Sequence, residues 1–171
     1  TLGIPGIVNV LNSVAVAAVA HFSNVSQTSV KDAFKTFSGV KRRFDIRFRN
    51  EEIIFIDDYA HHPEEIKAFL NSVRHIYTNK KITGIFQPHL FSRTKDFADD
   101  FAENLSLLDE LILLEIYPAR EKPLEGVNSK LILDKVKIQN KKILTKNDLH
   151  NFLSETKTDI LLTIGAGDID K

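Results

Sequence analysis

After residue 42, segments with strand-like and helix-like patterns alternate along this sequence. Short runs typical of buried strands occupy positions 53–56, 82–86, 111–116, 142–144 and 159–164. Segments with apolar residues at helical spacing separate them, at 63–76, 94–108, 129–136 and 147–153. Helical crossovers between consecutive strands are right-handed and produce parallel neighbours. The pattern therefore predicts an α/β fold with a doubly wound, mainly parallel, Rossmann-like sheet.

The first predicted strand pair has a different pattern. Apolar and charged residues alternate in FDIRFR (44–49), and Asn50 and Glu51 form a turn before the apolar run 53–56. Alternation is typical of a strand with one polar face, whereas a continuous apolar run indicates a strand buried on both faces. We therefore expect a β-hairpin whose first strand lies at the edge of the sheet.

Residues 1–41 show no strand alternation and are predicted to form two helices. Asn12 or Ser13 can cap the first, which we expect to run through Ala20, and the second begins near Ser29. The stretch VAVAAVA (14–20) favours a helix that is buried on most sides. We place a domain boundary at about residue 41, with this helical segment before it and the α/β domain after it.

Composition excludes several classes of protein. The 23 Lys and Arg residues balance 23 Asp and Glu residues, so a broad basic surface for nucleic acid or membrane lipid is excluded. The absence of Cys excludes disulfides, thiolate zinc sites and a cysteine nucleophile. Positions 1–30 carry no charged residue, but Pro5, Asn9 and other polar residues interrupt them, which argues against a signal peptide or spanning helix. Because Met is absent throughout, we expect an excised segment of a longer chain.

Chemically versatile side chains follow the predicted strands at their carboxyl ends. The segments are DDYAHHP (57–63), QPHLFSRT (87–94), YPAREKP (117–123) and GAGD (165–168). Ligands of open parallel sheets bind outside the carboxyl ends of the strands. The connections at the opposite ends are ordinary polar turns. The sequence therefore predicts a site along one sheet edge, built from carboxylates, imidazoles and guanidinium groups.

These groups also have structural interpretations. Asp57 and Asp58 can cap the next helix, and we expect one of His61 and His62 to face the site while the other packs or caps. A strand-to-helix turn such as GAGD often uses Gly for backbone reasons alone. The basic run 41–43 is by default a solvated surface, with a phosphate contact as the alternative.

The known phosphate-binding motifs are absent from the sequence. No Gly precedes a Lys, so there is no GxxxxGK[ST] phosphate loop, and GAGDID (165–170) lacks the last Gly of a dinucleotide fingerprint. The GxSxG and HExxH motifs are absent as well. If the chain binds a nucleotide, we expect it to contribute one half of a shared site.

Six blocks, in order along nearly the whole chain, closely resemble the Mur ligase family and its alanine-adding members. They are PGIVNVLNSVAVAAVA (5–20), FSGVKRRF (37–44), IDDYAHHPEEI (56–66), FQPHLFSRT (86–94), EIYPAREKPLEGVNS (115–129) and LTIGAGDI (162–169). The resemblance covers about the last third of such enzymes. It implies that residues 1–41 are the end of the central ATP-binding domain and that residues 42–171 are the Mur ligase C-terminal domain.

The resemblance also implies a reaction. Such ligases are ATP-dependent and add L-alanine to UDP-N-acetylmuramate through an acyl phosphate, in cytoplasmic peptidoglycan synthesis. ATP and Mg²⁺ are the implied cofactors, with the phosphate loop and the metal ligands in the central domain and no metal ligand in this chain. The implied partners are the two small-molecule substrates and the preceding domains in cis, with neither nucleic acid nor membrane. The chain alone is expected to be inactive.

Four residues match the family's nucleotide-binding positions. By resemblance, Asn12 reads the adenine, with Asn9 beside it. Arg43 matches the domain-junction arginine that reaches the phosphates, and Asp58 matches the aspartate that holds the ribose hydroxyls. Val8 departs from the family pattern, which usually has a histidine before the first of these asparagines.

Four further residues match the amino-acid and acyl-phosphate side of the family's site. The resemblance implies substrate-binding roles for Tyr59, His89 and Arg93, with Arg93 pairing with the alanine carboxylate. It implies catalytic roles for His61, His89 and Arg93. Leu90 stands where many members have a second arginine, which leaves Arg93 and His89 to hold the carboxylate or requires help from elsewhere.

Three alternatives remain open at this point. The first is another Mur-type ligase that acts on muramoyl substrates. A metal-dependent hydrolase would use a ligand set of carboxylates and imidazoles, namely Asp57, Asp58, His61 and His89. A non-catalytic interaction domain is the third.

Overall fold

The computed structural model describes residues 2–170, which contain a six-stranded sheet and seven helices. The strands are β1 (Asp45–Arg49), β2 (Ile54–Asp58), β3 (Ile82–Phe86), β4 (Glu110–Leu113), β5 (Lys141–Ile143) and β6 (Ile160–Ile164). The helices are α1 (Ile7–Phe22), α2 (Gln27–Thr36), α3 (Pro63–Ile76), α4 (Phe91–Asp96), α5 (Ala98–Leu105), α6 (Lys130–Leu133) and α7 (Lys146–Glu155). From β2 onward, strands and helices alternate as the sequence pattern predicts.

The strands are arranged in the order β1-β2-β6-β3-β4-β5. β1 is antiparallel to β2, and every other neighbouring pair is parallel. β6, the last strand along the sequence, lies between β2 and β3. The carboxyl ends of β2, β6, β3 and β4 therefore share one edge. The predicted α/β class, with a mainly parallel sheet and a hairpin whose first strand is at the edge, is confirmed.

Alternate side chains of the central strands pack into two cores. On one face, residues such as Phe86, Leu111 and Leu162 pack in a core shared with α3, α5 and α6. On the other face, Ile85 and Ile112 belong to a smaller core that includes apolar residues of α7. Burial of each large apolar side chain contributes about 1.5–3 kcal/mol, so the sheet holds the site's supporting elements in place.

Helix boundaries differ from the predicted ones in several places, and α2 begins at Gln27, after its N-cap Ser26, and not near Ser29. α1 begins after Gly6, whose φ of 101° makes the turn, so Asn12 and Ser13 lie inside the helix and not at its start. The helix predicted from Thr94 is two helices, because Phe97 departs from helical geometry with a φ of −119° between α4 and α5. No Pro or Gly marks the break at Phe97.

α1 has an exposed apolar surface. Leu11, Val14, Val19 and Phe22 are each at least 63% exposed, and no residue of α1 is buried. The prediction that this helix is buried on most sides is wrong for residues 2–170, because its packing is mainly against α2 and α3. Among these residues, no helix has both the length and the apolar character that crossing a membrane requires.

Candidate functional site

Aromatic side chains from three strand ends meet at the carboxyl edge of the sheet. His89 and Tyr117, which follow β3 and β4, form a parallel bridge, and their rings stack with centroids 5.7 Å apart. His61, which follows β2, packs edge-on against His89 at 5.8 Å and against Tyr59 at 5.3 Å. These four residues form a continuous aromatic row. The structure therefore brings together Tyr59, His61 and His89, as the sequence predicts for one site.

Arg93 lies beside the aromatic row in α4. Its Nη1 is 3.4 Å from Nδ1 of His89, which places a guanidinium donor next to the ring nitrogen. Burial lowers the pKa of His89, and the neighbouring Arg93 guanidinium and His61 imidazole lower it further. The lowered pKa favours the neutral imidazole, in which Nδ1 accepts the hydrogen bond from Arg93. A guanidinium oriented in this way suits a carboxylate, which it can bind through two N–H groups.

A cavity of about 410 Å³ opens where α1, the β2–α3 connection and α3 meet. Its volume lies in the range typical of small-molecule sites. The cavity is lined by all four residues predicted to contact a nucleotide, and by two members of the aromatic row: Asn9, Asn12, Arg43, Asp58, Tyr59 and His61. The two halves of the predicted site therefore adjoin each other.

The α1 side of the cavity carries two amides and an apolar residue. Asn9 donates from Nδ2 to the carbonyl of Pro5 at 2.5 Å, so part of its hydrogen-bonding capacity is used within the chain. Asn12 is exposed, and its side-chain amide has no hydrogen bond within residues 2–170. Val8 also lines the cavity, where it presents no polar group. Asn12 is therefore the amide on this wall that is available to a ligand.

The carboxylate of Asp58 is held by two backbone N–H groups. The amide of Phe44 donates to Oδ2 at 2.7 Å, and the amide of Ala60 donates to Oδ1 at 2.8 Å. Burial raises the pKa of Asp58 from 3.8 to about 6, because desolvation outweighs these two hydrogen bonds and the nearby charge of Arg43. Asp57 raises it further by charge repulsion. The charge on this wall of the cavity therefore depends on pH in the mildly acidic range.

We expect Asp58 to ionise near pH 6 in the folded chain and to destabilise the fold as it does so. Its folded pKa is raised above the unfolded value, so the stability it contributes is fully present below pH 4 and is lost as the pH rises through about 6, a change of about 3 kcal/mol. A ¹³C NMR titration of the aspartate carboxyls measures the midpoint, and Asp58→Asn assigns the signal. A midpoint near the ordinary value of about 3.9 would contradict this prediction.

Arg42, a member of the basic run 41–43, connects β2 to the turn after β6. Its Nε donates to Oδ2 of Asp57 at 3.1 Å, Nη1 donates to the carbonyl of Gly167 at 3.2 Å, and Nη2 donates to that of Gly165 at 2.5 Å. The guanidinium also lies 5.0 Å from the ring centroid of Tyr59. With a φ of 61°, Arg42 turns its side chain inward while the adjacent Arg43 faces the cavity. The carbonyls of a GAGD turn require donors, and this requirement is the signal that could have identified Arg42.

The GAGD turn packs directly against the end of β3. Gly165 has a φ of 143°, and a Cβ there would lie 2.7 Å from the carbonyl oxygen of Gln87. Gln87 in turn donates from Nε2 to Asp168 at 3.0 Å, and Asp168 pairs with Lys146 of α7 at 2.7 Å. Glycine is therefore required at position 165, because the backbone of Gln87 lies too close for a side chain there.

His61 and His62 have different roles, as the sequence predicts. His61 belongs to the aromatic row, and its Nδ1 lies 3.0 Å from the carbonyl of Tyr59. His62 is the N-cap of α3, and Oε2 of Glu65 accepts hydrogen bonds from the backbone N–H groups of both histidines. Only His61 therefore faces the site.

The carboxylates proposed as metal ligands in the hydrolase alternative are already bound within the chain. Asp57 is buried and accepts hydrogen bonds from Arg42 and from the hydroxyl of Thr163, the latter at 2.6 Å. Asp58 accepts the two backbone N–H groups described above. Within residues 2–170, no group of three or more His, Asp or Glu side chains is placed to hold a metal ion. This geometry does not favour the hydrolase.

Comparison with known families decides the family of this chain. The sequence profile described as "Mur ligase, glutamate ligase domain" matches residues 42–167. The chain belongs to the Mur ligase family. The Mur ligase match begins at Arg42, the residue that connects the start of the hairpin to the turn after β6, and it leaves α1 and α2 outside the matched region.

Named Mur ligases are similar to this chain over almost all of its residues. The UDP-N-acetylmuramate–L-alanine ligase of Cytophaga hutchinsonii is 48% identical over 167 residues, which are 98% of this chain and 36% of that protein. The enzyme of the same name from Porphyromonas gingivalis is 51% identical over 171 residues, which are 99% of this chain and 38% of that protein. The chain thus spans a little over a third of the length of these relatives.

Solved Mur ligase structures share the fold. The crystal structure of UDP-N-acetylmuramate-alanine ligase from Thermotoga maritima superposes with a TM-score of 0.81 at 35% identity, over 99% of this chain and 36% of that one. A murein peptide ligase from Psychrobacter arcticus superposes with a TM-score of 0.68 at 20% identity, over 99% of this chain and 36% of that one. The second similarity concerns the fold alone.

Proposed function

We propose that this chain is the C-terminal part of an ATP-dependent ligase that adds L-alanine to UDP-N-acetylmuramate in peptidoglycan synthesis. The observation that carries the proposal is the adjacency of the 410 Å³ cavity and the His89–Arg93 pair at one edge of the sheet. The names of the relatives support it. In this proposal residues 1–41 are the end of the central ATP-binding domain, and residues 42–171 are the Mur ligase C-terminal domain.

The cavity is the proposed ATP site, and its lining has the required chemistry. Arg43 supplies positive charge for the phosphates, and the carboxylate of Asp58 accepts hydrogen bonds from ribose hydroxyls. The amide of Asn12, with Asn9 beside it, offers the donor and acceptor that an adenine edge needs. When bound, ATP supplies the phosphoryl group that activates the muramoyl carboxylate. Because Asp58 must be ionised to accept both hydroxyls, nucleotide binding is favoured above about pH 6.

The aromatic row and Arg93 form the proposed amino-acid site. Arg93 pairs with the carboxylate of L-alanine, while neutral His89 orients the guanidinium through Nδ1 and Tyr59 contributes to the wall. The hydrogen bond from Nδ1 of His61 to the carbonyl of Tyr59 leaves Nε2 of His61 as a proton acceptor. We assign His61 to accept the proton that the alanine amine releases as it attacks the activated carboxylate.

Mg²⁺ and the phosphate loop belong, in this proposal, to domains outside this chain. The sequence has no phosphate loop, and the cationic groups at the sheet edge complement an anionic nucleotide and a carboxylate. We assign no Mg²⁺ ligand to residues 1–171. The chain therefore acts as a lid that completes a shared site, supplying its contacts when the domains close.

Phosphate release by the complete ligase that contains this chain tests the proposed function. We expect release only when ATP, L-alanine and UDP-N-acetylmuramate are all present, because attack by the amine is needed to complete turnover. The 171-residue chain alone is expected to release none, since its sequence lacks a phosphate loop. Release that proceeds with another amino acid but not with L-alanine would favour a different muramoyl ligase, and the absence of release with any amino acid would overturn the proposal.

A further inference from the structure

The loop that follows β4 returns to the first turn of α4. The carboxylate of Glu121 accepts a hydrogen bond from the backbone N–H of Ser92 at 2.9 Å and another from the Ser92 hydroxyl at 2.5 Å. These bonds connect residues that are far apart in sequence and that follow neighbouring strands. Glu121 therefore fixes the position of the first turn of α4 relative to the end of β4.

The same loop also holds the residues that precede α4. Tyr117 donates its backbone N–H to the carbonyl of Pro88 at 2.8 Å, and its carbonyl accepts the N–H of Leu90 at 3.0 Å. Together with Glu121, it attaches the segment 88–92 to the loop at both ends. This segment includes His89 and ends next to Arg93, so the loop is the support for both.

The backbone between His89 and Arg93 is in a conformation that leucine does not favour. Leu90 has a φ of 74° and a ψ of 135°, in a region where the Cβ of a leucine crowds the backbone. Such conformations persist only where surrounding contacts hold them. The Tyr117 and Glu121 hydrogen bonds are those contacts, because they join the strained segment to the loop on either side of Leu90.

The Arg93 guanidinium has little other support. Within residues 2–170 its one hydrogen-bond partner is His89, which lies on the same strained segment. A shift of that segment therefore moves both members of the pair. The hydrogen bonds from the Ser92 hydroxyl and the Ser92 N–H hold the pKa of Glu121 below its usual value. The lowered pKa favours the ionised carboxylate, which accepts both bonds.

We propose that Glu121 is a positioning residue for the amino-acid site, which clamps Ser92 and thereby holds His89 and Arg93 in place to bind the substrate carboxylate. This inference rests on the proposed function for the identity of the substrate. Within residues 2–170 Glu121 bonds to Ser92 and forms no hydrogen bond or ion pair with Arg93, so the guanidinium stays open to the substrate carboxylate. The loss of the clamp releases the segment 88–92 from one of its two attachments.

Four single variants of the complete ligase test the clamp. Glu121→Gln loses one of two acceptor oxygens and is expected to raise KM for L-alanine about tenfold, with KM for ATP within about twofold of the unmodified enzyme. Ser92→Ala is expected to raise KM for L-alanine about threefold. Ser92→Thr keeps the hydroxyl and is expected to leave KM for L-alanine unchanged. Glu125→Gln is the matched control, because Glu125 is an exposed carboxylate on the same loop.

A second measurement separates this inference from the proposed function. The order parameter of the Arg93 Nε–Hε group, obtained by ¹⁵N NMR relaxation and assigned with Arg93→Lys, is expected to fall in Glu121→Gln and not in Glu125→Gln. If the ligase shows no L-alanine dependence but Arg93 loosens, the proposed function fails and the clamp stands. If Glu121→Gln leaves Arg93 ordered, or raises both KM values equally, the clamp is overturned whatever the substrate.

Discussion

Arg93→Ala in the complete ligase is expected to lower kcat/KM for L-alanine about 100-fold, because it removes the charge-assisted hydrogen bonds to the substrate carboxylate. Arg93 lies 3.4 Å from His89, whereas the other cation of α4, Lys95, is exposed. KM for ATP is expected to stay within about twofold, since Arg93 does not line the cavity. Initial rates of phosphate release at varied L-alanine and ATP concentrations measure both effects.

Two control variants make the Arg93 result specific. Lys95→Ala removes an exposed cation from the same helix and is expected to leave kcat/KM unchanged. Arg93→Lys keeps the charge but loses the planar pair of donors, so we expect an intermediate loss of about tenfold. Equal losses in Arg93→Ala and Lys95→Ala would show that general charge, and not this guanidinium, attracts the substrate.

Arg42→Ala is expected to lower the free energy of unfolding by about 3–5 kcal/mol, because it leaves the buried carboxylate of Asp57 without its cationic partner and with only the Thr163 hydroxyl as a side-chain donor within residues 2–170. The Arg42 side chain is 13% exposed and that of Asp57 is 4% exposed, so solvent cannot compensate for the lost pair. The carbonyls of Gly165 and Gly167 lose their donors at the same time. Urea denaturation of the 171-residue chain, followed by circular dichroism, measures the change.

The adjacent arginine provides the matched control for Arg42. Arg43 is exposed and lines the cavity, so Arg43→Ala is expected to change the free energy of unfolding by less than about 0.5 kcal/mol. The double variant Arg42→Ala, Asp57→Asn removes the unpaired charge and is expected to recover part of the loss. If Arg42→Ala and Arg43→Ala lowered the free energy of unfolding by similar amounts, the conclusion that the buried contacts of Arg42 stabilise the fold would be wrong.

The fold could be predicted from the sequence because the hydrophobic period changes at each strand and helix. β3 lies at 82–86, where the apolar run predicts it, since a strand buried on both faces needs apolar residues throughout. The strand order was not predictable, because the insertion of β6 between β2 and β3 depends on contacts between distant residues. The break at Phe97 and the exposure of α1 likewise depend on tertiary packing that periodicity does not record.

The shared sheet edge of the candidate residues could be predicted, but the residues that support them could not. Asp58 ends a strand and His61 and His89 follow strands, and the rule that parallel strands end at one edge predicts that they lie together. No local sequence motif predicts the partners of Arg42 and Glu121. Arg42 bonds to a turn more than a hundred residues away, and Glu121 bonds to Ser92, which follows a neighbouring strand. Which of two adjacent arginines turns inward depends on the positive φ of Arg42, which a sequence pattern does not encode.

The position of β6 determines when residues on β2 and after β3 reach their final separation during synthesis. On the ribosome, β2 and β3 emerge well before β6, yet both form their parallel ladders with β6 and not with each other. Asp58 at the end of β2 and His89 after β3 therefore have no fixed separation in a nascent chain. The guanidinium of Arg42 likewise has its acceptors, the carbonyls of Gly165 and Gly167, only after the turn that follows β6 has been made. A chain that ends before β6 therefore holds Asp58 and His89 without the strand that fixes their separation.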